Sequence, residues 1–164
     1  MFFEARVGPF PETSAAFAAA RDAFIAGRVR EAVALAPARA VVAGDALLAI
    51  DLWRAQGQSV RGGAVARAAV SRFDDPRLVL EACNLLAARG RLRTADAHLD
   101  ELEARESTDA PLLARILSRR AVHASLRGLL DDANRFADAA DAMAADDAVV
   151  QYGLAWAAEQ RRDW

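Results

Sequence analysis

Lysine is missing from this chain of 164 residues: all 21 basic side chains are arginine. A Schiff-base lysine, a phosphate-loop lysine and a lysine general base are therefore excluded. Cysteine occurs once, as Cys83, so no internal disulfide can form and no thiolate pair can grip a metal. That usage fits a reducing compartment. The two histidines, His98 and His123, lie 123 − 98 = 25 residues apart, and neither has the i, i+4 partner of a helical metal site. No Gly-x-Ser-x-Gly elbow is present. No uncharged apolar run reaches the roughly 18 residues of a membrane span. The opening Met1–Arg6 lacks the basic start and apolar stretch of a signal peptide. Basic excess is also lacking: the net charge is −2, so no nucleic-acid footprint is seen. These gaps lead us to expect no enzyme, no cofactor, no metal, no nucleic acid and no membrane contact, with a cytoplasmic location.

What is abundant is alanine, 42 of 164 residues. Alanine loses no side-chain entropy in a helix, so the composition favours helices. Alternating strand patterns bounded by turns are absent. Residues 1–13, with Phe2, Phe3, Phe10, Pro9 and Pro11, read as an extended arm, and Thr13-Ser14 as a helix N-cap. The remainder, residues 14–164, repeats. Gly27, Gly90 and Gly128 each have an apolar residue two positions on and alanine five on: Val29 and Ala32, Leu92 and Ala95, Leu130 and Ala133. After Gly57 the matching residues are Val60 and Ala64, as if two residues were inserted, and Gly57–Gly63 reads as a loop. The glycines are spaced 57 − 27 = 30, 90 − 57 = 33 and 128 − 90 = 38 apart. A period in the thirties with a glycine between two helical stripes predicts stacked helical hairpins. Asp75-Pro76 and Asp109-Ala110-Pro111 have the composition of helix starts, and Pro37 should end the helix before it.

In the third unit Val79, Cys83, Leu86, Gly90, Leu92, Ala95 and Leu99 carry a resemblance to the tetratricopeptide repeat. Unit one has Ala16, Ala20, Ala23, Gly27, Val29 and Ala32 at those positions. Unit two has Ala46, Ile50, Trp53 and Gly57, and unit four has Leu117, Ala121, Ala124, Gly128, Leu130 and Ala133. Arg120 departs from the pattern, standing where an apolar residue is wanted. The resemblance implies an all-α solenoid of stacked antiparallel hairpins, about four plus a terminal helix over Asp147–Gln160. It also implies a concave groove lined by first helices. The positions facing that groove hold Phe17, Arg21 and Phe24, then Asp51 and Arg54, Arg77 and Asn84, and Arg115, with Arg119 one turn on. Members of the family that bind chaperones grip a peptide carboxylate with Lys/Arg and Asn, and Asn84, Arg115 and Arg119 fall at similar places. Leu80 stands where the clamp lysine would be, and the unit-two asparagine is missing. Phe17 and Phe24 are better placed as core than as open groove.

The expected function is thus a scaffold or adaptor. Its groove would take a protein or peptide partner, acidic or bearing a free carboxylate, because arginine forks suit carboxylates. Self-association through the terminal helix is a second mode. The alternative is an N-terminal substrate-recruiting or regulatory domain of a larger bacterial enzyme or regulator, with the chemistry after Trp164. The pairs Asp74-Asp75, Asp131-Asp132 and Asp146-Asp147 read as helix-start and solvated-face residues, Cys83 as a small buried hydrophobe, and the histidines as surface or half-buried helix residues.

Overall fold

The computed structural model describes residues 12–106 and 108–162. The arm predicted over residues 1–13 lies outside them except for Glu12 and Thr13. Among the described residues every regular element is helical. A 3-10 turn, Ala15–Phe17, leads into α1 (Ala18–Ile25) and α2 (Val29–Leu35). Then follow α3 (Ala43–Ala55), α4 (Ser59–Val70), α5 (Pro76–Ala88), α6 (Leu92–Arg105), α7 (Ala110–Leu126), α8 (Leu130–Ala144) and α9 (Ala148–Arg162). None of them is long and apolar enough to cross a membrane.

Four junctions share one geometry. Gly27, Gly57, Gly90 and Gly128 all have φ between 70 and 75°. At each, the glycine N–H donates to the carbonyl three residues back, and the next N–H donates to the carbonyl five residues before it. For Gly27 these bonds reach Phe24 at 2.9 Å and, from Arg28, Ala23 at 2.9 Å. This double closure satisfies carbonyls the helix end would otherwise leave bare, and it needs a left-handed residue that glycine supplies without a Cβ penalty. The next helix begins two residues after each glycine.

That register corrects the reading of unit two. Gly57–Gly63 is not a loop with an insertion, because α4 starts at Ser59. The small buried residue five positions after the turn glycine is Ala32, Gly62, Ala95 and Ala133 in the four units, whereas Ala64 is exposed. Glycine simply takes alanine's place, because α4 lies very close to α3: a Cβ on Gly62 would sit 3.4 Å from the Ile50 carbonyl oxygen. Seven residues before each turn glycine, Ala20, Ile50, Cys83 and Ala121 are all buried.

Helix starts follow local chemistry. Asp109 caps α7, accepting from the Leu112 N–H at 3.0 Å, with proline in the first turn. The Asp75 carboxylate accepts from the Arg77 N–H at 2.9 Å, and that of Asp147 from Val149 at 2.8 Å and Val150 at 3.1 Å. Chain direction changes after Leu35, where α2 ends and Ala36 is extended ahead of Pro37. Ser14 departs from expectation. It precedes the 3-10 turn but does not cap it; its hydroxyl donates to Asp45 at 2.9 Å and its N–H to the same carboxylate at 2.8 Å. Asp45 is fully buried in the first turn of α3 and also accepts from Val41 at 2.8 Å and Val42 at 3.1 Å. Burial works against its charge, but the hydrogen bonds from Val41, Ser14 and Val42 outweigh it and hold the carboxyl below its ordinary value.

Two compact units divide the chain, one up to Leu85 and one from Leu86, so the boundary falls inside α5. In the first, α1 packs on α2 and α3 on α4. Its apolar interior has two parts. Phe17, Ala20, Ala23 and Ala32 close on Leu48 and Leu52, while Ala46, Leu47 and Ile50 close on Ala66, Ala69 and Leu78. Phe17 is therefore core, with no open groove around it. In the second, α7 is central and meets α6, α8 and α9. Ala114, Ala140 and Val150 form one apolar contact and Ala121, Val122 and Ala157 another.

Candidate functional site

The predicted groove residues fall into two polar sets, one in each unit. In the first unit, Asp51 and Arg54 are one helical turn apart on α3, and Arg77 and Asn84 are two turns apart on α5. Arg54 reaches across to Glu81 of α5 at 2.5 Å and back to Asp51 at 3.5 Å. Glu81 was not foreseen. Its signal is present in the sequence, since it lies four residues after Arg77 and three before Asn84, on the same helical face. Arg77 turns to Asp75 in a two-pronged contact, Nε to Oδ1 at 3.0 Å and Nη2 to Oδ2 at 2.6 Å. Burial opposes the Asp75 charge, yet the Arg77 hydrogen bonds hold its carboxyl below the ordinary range; reciprocally, the bond to Asp75 raises Arg77. Asn84 is half-buried, and its side-chain oxygen is enclosed with no hydrogen-bond partner.

In the second unit, Arg115 on α7 is bound by Asp147 at the start of α9, at 2.9 Å from Nε and 2.8 Å from Nη2. Burial again opposes the Asp147 charge, and the bonds from Arg115, Val150 and Val149 reverse the balance and lower it. Asp147 lies 147 − 115 = 32 residues after its partner, one repeat on. Ser118 donates to the Val150 carbonyl across the same interval at 3.1 Å. Arg119 is 8 % exposed and lies against Gly153 of α9, where a Cβ would approach its Nη1 to 3.3 Å.

Arg54, Arg77 and Arg115 are thus each matched by a carboxylate of this chain. A ligand carboxylate would have to exchange with Asp51 and Glu81, with Asp75 or with Asp147. Each set is a neutralised group of guanidinium–carboxylate contacts rather than a bare cationic clamp.

Elsewhere, Cys83 is buried. His98 is on the surface of α6, 3.6 Å from Glu101. His123 is a buried residue of α7 that sequence reasoning placed too near the surface; its Nδ1 is 2.6 Å from Asp96 of α6. Arg120, the departure from the repeat pattern, binds Asp100 at 2.7 Å and Glu103 at 2.6 Å and lies over the Phe136 ring. No group of three or more His, Cys, Asp or Glu among the described residues is arranged to hold a metal. Comparison with protein-family models, with curated proteins and with solved structures finds no match.

Proposed function

We propose that the chain is a short tetratricopeptide-like solenoid, acting without chemistry of its own as a binding scaffold for a protein or peptide partner. The observation that carries this is the fourfold recurrence of one glycine-closed turn, with a buried residue seven before it and a small buried one five after. A recurring register of that kind is what lets hairpins stack, and stacked first helices make a preordered surface that costs little entropy to use. The partner we infer is an extended segment with carboxylate side chains or a free C-terminus. In the first unit its acid would replace Asp75 at Arg77, with a donor group for the enclosed oxygen of Asn84; the second unit by itself offers the same exchange at Arg115, now held by Asp147.

Panning a displayed random-peptide library against the full chain tests this. Acidic sequences should be enriched, and the selected peptides should bind Arg77→Glu and Arg115→Glu variants at least about tenfold more weakly by fluorescence polarisation, the loss of roughly one charge-assisted bond. Absence of enrichment, or equal affinity for correctly folded variants, would sink the proposal.

A further inference from the structure

The contact between α6 and α7 is an antiparallel seam of opposite charge. Asp96, Asp100 and Glu103 follow one another at intervals of four and three along α6, and Arg120, His123 and Arg127 at three and four along α7. Asp96 binds His123 at 2.6 Å and Arg127 at 2.5 Å, while Asp100 and Glu103 share Arg120. Imidazole alone in this set ordinarily changes charge near neutrality. His123 is also the most enclosed member, at 1 % exposure.

We propose that this seam is a proton-sensitive joint, in which protonation of His123 releases α6 from α7. The new charge would arise in a place already crowded with positive groups. Arg127 occupies the other oxygen of Asp96, and Arg119 lies one helical turn before His123 on α7 itself. On the far side α7 meets α8 and α9 through an apolar contact of Ala121, Val122, Phe136, Ala137, Leu154 and Ala157, and the charged groups that act on the ring are Asp96, Arg127 and Arg119. From α6 Asp96 bonds the ring, with Asp100 and Glu103 held by Arg120 a turn away. Burial and the two arginines outweigh the attraction of Asp96, so the folded imidazole titrates below its ordinary 6.5. The opened state then takes up the proton first, and opening is favoured as pH falls through 6.5, by at most about tenfold per pH unit. Hydrating the ring on this side means breaking its bond to Asp96, and with it part of the hold of α6 on α7.

Hydrogen exchange on the full chain between pH 7.5 and 5.0, corrected for intrinsic chemistry, reads this directly. The range stays above ordinary carboxylate titration. Exchange across Leu92–Arg105 should accelerate between pH 6.5 and 5.5, by no more than about fivefold, while Leu130–Ala144 stays protected. His123→Asn, which keeps a donor toward Asp96 but does not titrate, should flatten the profile, and His98→Gln should leave it unchanged. Equal acceleration in both helices, or a flat wild-type profile, overturns the proposal. Should the Asn variant not fold, the NMR titration of His123 in the wild type decides: a midpoint above 6.5, or one separate from α6 opening, overturns it equally.

Discussion

Asp45 is a full charge in a site closed to solvent, and it survives because four donors from three residues converge on it. It ties the segment at Ser14 to the start of α3, 31 residues away. Asp45→Asn keeps the shape but turns half of the acceptor into a donor facing donors. We expect a loss of about 2–3 kcal/mol in urea unfolding, against about 1 kcal/mol for Ser14→Ala. Arg120 behaves differently. Its partners Asp100 and Glu103 are well exposed, so they can return to water when it is removed. Arg120→Leu should therefore stay within about 1 kcal/mol of the wild type, because it keeps contact with Phe136, and Arg120→Ala should cost more than Arg120→Leu. None of these partnerships was legible in the sequence. Asp45–Ser14, Arg120–Glu103 and His123–Asp96 span 31, 17 and 27 residues. Pairing at such range is decided by which helical faces meet, which a local pattern does not state.

Helix α9 shows what governs an element. Its Gly153 lies against the Ser118 hydroxyl and Arg119 of α7, and a Cβ there would overlap that hydroxyl. Gly153→Ala ought to raise helix propensity by about 1 kcal/mol, yet we expect net destabilisation of about 1 kcal/mol because the Ser118 hydroxyl must turn away and give up its bond to the Val150 carbonyl. Ser118→Ala in the same chain should recover part of that loss, a coupling that a double-mutant cycle in denaturant will read. Helix boundaries were far more legible than helix partners. Asp75, Asp109 and Asp147 mark starts, the turn glycines mark ends, and Pro37 marks where α2 must stop. The exception was α4, concealed because Gly62 stands where the repeat elsewhere has alanine, and a glycine pair inside a helix looks like a loop until the helix behind it is known.

Over the whole molecule, stability against acid should be lost in two stages. Asp45, Asp75 and Asp147 sit below their ordinary value of 3.8 in the folded state. Their contribution is complete above that value and disappears as pH falls through the lowered folded values. His123 also sits below its ordinary 6.5, so the folded state binds its proton late and stability begins to fall below pH 6.5. The histidine stage belongs to the unit from Leu86 onward, whereas the carboxylate stage draws on both units, Asp45 and Asp75 in the first and Asp147 in the second. Calorimetry between pH 7.5 and 3 should show a first decline that His123→Asn removes, and a second, steeper one that it leaves in place.

The four turns carry a further consequence, one of handedness. Each glycine holds φ near +70°, a value that is mirror-image territory for an L-residue and ordinary for a D-residue. Each has open space around the position an L-Cβ would take, so the penalty for L-alanine there is one of chirality rather than of crowding. Chemical synthesis could separate the two. L-Alanine at 27, 57, 90 or 128 should lower stability by about 1 kcal/mol, and D-alanine should raise it by up to about 1 kcal/mol by narrowing the unfolded ensemble. A chain built wholly of L-residues and glycine therefore contains four sites that its mirror-image building block would suit better than its own.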